Sequence, residues 1–94
     1  MSFEIFVSEQ GRDFISILPL KSQQIVRKNL GKLKSPYPGR GIGDKERLLV
    51  AGEILYRLHI GRTFTAFYII EEESKVVRVI EILTIEAAHK KYGS

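Results

Sequence analysis

Between Ser35 and Asp44 the chain sets two prolines and three glycines within ten residues, Ser35-Pro36-Tyr37-Pro38-Gly39-Arg40-Gly41-Ile42-Gly43-Asp44. No helix or strand interior tolerates that density. Proline fixes φ and removes a backbone donor, and glycine adds conformational entropy that an ordered element must give up. The segment reads as a loop, and it divides two halves with different hydrophobic periods.

The first half opens on Phe3-Glu4-Ile5-Phe6-Val7, short, apolar and β-prone, which predicts a strand. Ser8 then suits an N-cap, and Phe14, Ile15, Ile17 and Leu18 form a short helical face before Pro19 ends it. Ser22 is the N-cap expected for a second helix, in which Ile25, Val26, Leu30 and Leu33 recur at helical spacing with Arg27, Lys28, Lys32 and Lys34 between them. The two read as a helical hairpin broken at Pro19-Leu20.

The second half alternates. In Ile54–Ile60 the residues Ile54, Tyr56, Leu58 and Ile60 share one face, and Leu55, Arg57 and His59 the other. Gly61-Arg62 marks a turn, Thr63–Ile70 is a β-branched and aromatic strand, Glu71–Lys75 is a polar turn, and Val76–Thr84 is apolar enough to lie inside a sheet. Arg47–Val50 adds a further strand if it pairs. Glu86–Tyr92 predicts a short terminal helix with an acid in its first turn and Lys90 and Lys91 in its last, as the helix dipole favours. The expected architecture is α+β: an N-terminal strand, a two-helix hairpin, an antiparallel meander of three or four strands and a short C-terminal helix. With both helices on one face, the other face is expected to be open and to present Arg57 and His59. Residues 1–94 are read as a single domain, the length suiting one core.

Cysteine is absent from the sequence, which removes disulfides, thiolate metal sites and a cysteine nucleophile together. The start, Met1-Ser2-Phe3-Glu4, lacks a signal peptide's basic and apolar regions, and no apolar run approaches a membrane span; the expectation is a cytoplasmic protein with no membrane contact. The formal net charge is +4, and from Lys21 to Arg40 the chain holds Lys21, Arg27, Lys28, Lys32, Lys34 and Arg40 with no acid. A segregated basic stretch suits a polyanion, although it also suits a solvated helix face. The glycine cluster Gly39–Gly43 has neither the spacing nor the flanking strand and helix of a phosphate-binding loop. Two histidines without carboxylates at ligand spacing make no metal site, so no metal or other cofactor is expected.

What remains is Arg57, His59, Arg62, His89, Lys90, Lys91 and Tyr92. Arginine offers a two-pronged fork for phosphate oxygens, and histidine exchanges protons near neutral pH. RNA cleavage by its own 2′-hydroxyl needs a base at that hydroxyl, charge on the phosphorane and an acid at the leaving oxygen. A metal-free set of Arg, His, Lys and Tyr supplies all three. Each residue alone is more often a solvated strand residue or a packed helix end than a catalyst.

The layout and several phrases resemble the RelE/ParE superfamily of type II toxins, nearest its RelE-like branch, over nearly the whole chain. The phrases are Lys32-Leu33-Lys34-Ser35-Pro36, and above all Tyr56-Arg57-Leu58-His59-Ile60-Gly61, followed by the Phe64–Ile70 strand, the acidic turn, the Val-rich last strand and a terminal Tyr. The resemblance implies a toxin neutralised by a cognate antitoxin, in a toxin–antitoxin heterotetramer, that enters the ribosomal A site and cleaves mRNA without a metal. By position it places Arg57, His59 and Tyr92 in the catalytic set, and Arg62, the nearest arginine to one the family carries, and His89, one helical turn from Tyr92, complete the expected set. Arg27, Lys28, Lys32, Lys34, Arg40, Lys90 and Lys91 then contact RNA or the ribosome. The sequence departs from the family at Thr65, where active members carry an arginine, and at Glu86-Ala87-Ala88, where a basic phrase is usual. ParE-like relatives of the same fold poison DNA gyrase, and a silent relative would only bind antitoxin or RNA; both stand as alternatives.

Overall fold

The computed structural model describes residues 2–39 and 43–92. In chain order these form β1 (Glu4–Val7), α1 (Glu9–Ser16), α2 (Leu20–Leu30) with a 3-10 turn (Gly31–Lys34), then β2 (Lys45–Val50), β3 (Glu53–Ile60), β4 (Phe64–Glu71), β5 (Val76–Thr84) and α3 (Ile85–Tyr92). The strands make one five-stranded sheet in the order β1-β5-β4-β3-β2, with β1 parallel to β5 and every other pair antiparallel. The α+β architecture expected from the sequence is therefore observed, and the Arg47–Val50 segment does pair, as part of β2. Among the described residues no helix is long and apolar enough to cross a membrane.

The helical hairpin covers one face. Ile15, Val26, Leu30 and Leu33 pack onto Leu58, Ile60, Ala66, Tyr68, Val77, Val79 and Ile82. Full burial of such side chains stabilises by about 1.5–3 kcal/mol each before entropy is counted. α1 begins as read, with Ser8 Oγ accepting from the Gly11 amide at 3.1 Å. Gly11 allows the close approach: a Cβ there would lie 2.7 Å from Val7 Cγ1. Where β1 ends, Gln10 takes over its ladder. Its amide donates to Ile82 O and accepts from Ile82 N, both at 2.9 Å.

Three expectations need correction. The second helix starts at Leu20 with Pro19 at the N-cap position and no side-chain cap, so Ser22 is not the cap but lies within the first turn. Proline's fixed φ makes it a natural entry to a helix, and that outweighs serine's capping tendency here. Ile17 is 80% exposed at the hairpin tip rather than part of the buried face, because α1 ends at Ser16 and the helical period ends with it. The second sheet face is also not open. α3 lies on it, and Ala88 and Tyr92 close a small core with Leu55 and Phe67. The middle strand is β4, whose Thr65, Ala66, Phe67 and Tyr68 are all buried; β5 is internal, between β1 and β4.

Candidate functional site

The β2–β5 registers set four side chains in one row across the sheet: Glu46 opposite Arg57, Arg57 opposite Phe67, and Phe67 opposite Glu81. The row lies on the α3 side. Arg57 and His59 reach that side by the strand alternation read from the sequence. Glu81 reaches it for a different reason. In strict alternation it would follow Val77 and Val79 into the helix-facing core, but the β4–β5 register shifts between Phe67 and Tyr68, which leaves Ile80 as an extra residue. The bulge turns Glu81 outward and returns Ile82 to the core.

At one end of the row the Arg57 guanidinium pairs with Glu46 Oε1, and His59 Nε2 lies 3.4 Å from the same oxygen. The Arg57 side chain keeps 18% of its surface exposed, so it is sheltered yet within reach of a ligand. The His59 amide donates to Asp44 O at 2.7 Å, and the Asp44 carboxylate accepts from Lys32 Nζ at 2.7 Å. That hydrogen bond with the lysine ammonium holds the Asp44 carboxyl below its ordinary pKa.

At the other end the Tyr92 ring lies 4.3 Å from the Phe67 ring, tilted by 35°. Its hydroxyl donates to Glu81 Oε1 at 2.7 Å, and Lys91 Nζ reaches the two Glu81 oxygens at 2.9 and 2.7 Å. Burial first, and then the Glu81 hydrogen bond and charge, push the Tyr92 phenol up to about 12. Ala88 is the residue that lets α3 seat this closely, and Thr84 Oγ1 caps the helix by accepting from Ala87 N at 3.1 Å. The segment Glu86-Ala87-Ala88 thus lies in the first turn of α3, with Ala88 packed inward and Glu86 exposed.

Arg62 and His89 come together elsewhere, lining a shallow depression with Thr63, Thr84, Ile85 and Glu86 where the β3–β4 turn meets the start of α3. Thr65 is buried at 1% exposure and donates to Leu58 O at 3.3 Å, so that position presents no polar group to solvent. The cations of the second helix belong to the opposite layer. Arg27 lines a groove with Arg12, Ile5, Phe6 and Val7 beside β1, and Lys28 and Lys34 are exposed. Lys32 alone connects back to the site strands, through Asp44. Lys90 is exposed on α3. Arg40 lies outside the described residues. No three His, Asp or Glu side chains gather as a metal site among the described residues.

Sequence reasoning missed Glu46 and Glu81, the acids that hold these cations and the tyrosine. Glu46 could have been found by pairing Lys45–Val50 with Glu53–Leu58, which sets it opposite Arg57. Glu81 carried no such signal, because the bulge that exposes it has no sequence signature.

No protein-family model matches the sequence, and no curated protein matches it. Solved structures do. The chain is similar to the archaeal RelE–RelB complex of Pyrococcus horikoshii OT3, with a TM-score of 0.70 and 19% identity over 89% of this chain and 96% of that one. It is similar to the toxin–antitoxin complex RelBE2 of Mycobacterium tuberculosis, with a TM-score of 0.73 and 18% identity over 89% of this chain and 99% of that one. It also resembles the isolated Escherichia coli RelE toxin, with a TM-score of 0.58 and 17% identity over 96% and 98% of the two chains. The fold is RelE-like.

Proposed function

We propose that this protein is the toxin of a toxin–antitoxin pair and that it cleaves mRNA in the ribosomal A site. The observation that carries the reading is the row on the α3 face. Arg57, His59 and Tyr92 are three groups suited to RNA cleavage, and they share one face of a RelE-like sheet, with Phe67 between Arg57 and the Tyr92 ring. Neighbours with this fold are toxins solved with their antitoxins, which supports an antitoxin partner here.

In this reading the RNA phosphate takes the place of Glu46 on Arg57. The guanidinium donates to two phosphate oxygens and stabilises the charge that builds on phosphorus. Arg62 adds a second cation from the turn. The 2′-oxygen attacks phosphorus in line, the bond to the 5′-oxygen breaks, and a 2′,3′-cyclic phosphate remains. His59, or His89 from the depression where the β3–β4 turn meets α3, delivers the proton to the departing 5′-oxygen. Tyr92 stacks on a base or assists in proton movement. Arg27, Lys28, Lys32, Lys34, Arg40, Lys90 and Lys91 supply charge toward ribosomal RNA, and the reaction belongs in the cytoplasm with the ribosome. The antitoxin, as an acidic or amphipathic segment, masks the basic surface in a heterotetramer.

A binding-only role is the second reading. It is favoured by Thr65, which is buried where an arginine would otherwise face the phosphate, and by acids already occupying both Arg57 and Tyr92. Induction in cells without antitoxin separates the readings. Immediate arrest of amino-acid incorporation supports the nuclease, arrest of thymidine incorporation first supports a gyrase poison, and unimpaired growth supports a silent relative.

A further inference from the structure

The geometry points to Glu81 as the residue that acts through Tyr92: it holds the Tyr92 hydrogen, so that Tyr92 meets an RNA hydroxyl only as an acceptor and Glu81 takes the proton that Tyr92 gives up. The inference rests on the nuclease reading and assigns a role to a residue that the reading leaves unused.

Two observations carry it independently. The first is the bulge at Ile80, which breaks the β5 alternation at the one point that would otherwise bury a carboxylate against Ala66 and Tyr68. Bulges commonly re-aim a side chain, and here the re-aimed side chain lands on the α3 face in the same row as Arg57. The second is its saturation: Glu81 Oε1 accepts from Tyr92 Oη at 2.7 Å while both carboxylate oxygens accept from Lys91 Nζ. Only 16% of the Glu81 side chain remains exposed. Lys91 and Tyr92, both from α3, are the charged and titratable groups in contact with it. β4 presents Phe67 there, and on β5 itself Arg78 turns away to Glu71.

A phenol has one hydrogen to donate and two lone pairs that accept. With its hydrogen committed to Glu81, Tyr92 has only lone pairs left for a ligand. A 2′-hydroxyl that donates to Tyr92 Oη can lose its proton there only as the Tyr92 hydrogen moves to Glu81 Oε1. The proton balance is then closed: the 2′-oxygen bonds to phosphorus, its proton goes to Tyr92, the Tyr92 proton goes to Glu81, and the 5′-oxygen takes a proton from histidine. Solvent afterwards returns Glu81 and the histidine to their starting states. Phenolate is never required, consistent with a phenol held well above neutral pH.

The test uses Glu81→Gln, which keeps an acceptor oxygen but can take no proton at that site. Two readouts are made on the purified protein. In the first, tyrosines carrying a carbon-13 label at Cζ are titrated by NMR, with Tyr92→Phe used to assign the Tyr92 signal. Tyr92 is expected to ionise about one pH unit lower in Glu81→Gln than in the parent. In the second, single-turnover cleavage is followed on programmed ribosomes across pH. Glu81→Gln is expected to lose about 100-fold in rate with unchanged apparent affinity, to lose the acidic limb of the profile, and to cost nothing further in the Tyr92→Phe background. Glu81→Asp, which retains the acid, is expected to restore the limb. An unshifted Tyr92 titration overturns the inference whether or not the ribosome assay shows cleavage. So does a cleaving parent whose rate and pH profile survive Glu81→Gln. Absence of cleavage in the parent overturns the nuclease reading instead, and the titration still decides whether Glu81 commands the Tyr92 proton. If Glu81→Gln does not fold, Lys91→Met takes its place in the titration. Loss of the ammonium while Glu81 stays is then expected to raise Tyr92 ionisation further, and a fall would overturn the inference.

Discussion

Arg57 and Glu46 stand opposite each other on β3 and β2, and their side chains form an ion pair whose carboxylate oxygen also lies 3.4 Å from His59 Nε2. The acid therefore occupies the arginine that a phosphate would need and stands beside His59. Glu46→Gln removes that competitor and one negative charge. Short single-stranded RNA is expected to bind about tenfold more tightly at low salt, with a steeper fall as salt rises. The paired Glu46 oxygen and most of Arg57 are sheltered from solvent, so the cost in folding stability should be about 1–3 kcal/mol, as for weakening a buried charge-assisted hydrogen bond. Filter binding across a salt series checks the first point and urea denaturation the second. Unchanged or weaker RNA binding would remove Arg57 from the phosphate site.

The Tyr92 phenol carries a pH signature. Its ordinary value is 10.0 and the folded protein raises it to about 12, so the folded state favours the protonated phenol. A raised value means that this contribution is fully present below pH 10 and is lost as pH climbs from 10 toward 12. The urea midpoint of the parent protein is expected to fall more steeply over that window than that of Tyr92→Phe. Parallel curves would show that neither the burial of the phenol nor its Glu81 hydrogen bond persists in solution.

Gln10 completes the β5 ladder by bonding both backbone groups of Ile82. Gln10→Ala leaves a donor and an acceptor of β5 without partners at a half-buried place. It is expected to cost about 1–3 kcal/mol in chemical denaturation while leaving RNA binding unchanged. A cost below about 0.5 kcal/mol, the level of an ordinary surface substitution, would mean that water replaces the side chain there.

The β2–β3 turn contains Ala51 and Gly52 with φ of 50° and 82°. Both lie in the left-handed region, which a two-residue hairpin of this twist requires and which alanine adopts at a cost. Ala51→Asn keeps the turn and suits that conformation better. It is expected to stabilise the protein by about 0.5–1 kcal/mol, readable as a raised melting temperature. A lowered melting temperature would contradict the assigned turn.

Much of this molecule could be read in the chain because its local signals agree with its tertiary structure. Ser8 caps α1, the Gly61-Arg62 turn joins β3 to β4, and Leu58 and Ile60 share the buried face that their alternation predicts. Arg57 and His59 followed from the same alternation onto the face now covered in part by α3. The site's other half was hidden for physical reasons. A register shift is a property of two strands together, so the residue that leads Glu81 out of the core looks like any other isoleucine of β5. The Arg57–Glu46 pair depends on which residues of β2 meet β3, and the pairing became definite only with the tight Ala51-Gly52 turn. The position of α3 depends on Ala88, whose small size matters only against Phe67 and Leu55.

The most direct measurement takes purified ribosomes stalled on a short defined message, adds the protein, and maps the RNA ends with and without ribosomes. The nuclease reading predicts ribosome-dependent cuts within the A-site codon, ends that carry a 2′,3′-cyclic phosphate, and loss of cutting in Arg57→Ala. Intact message under those conditions, or cutting that survives Arg57→Ala, would contradict it.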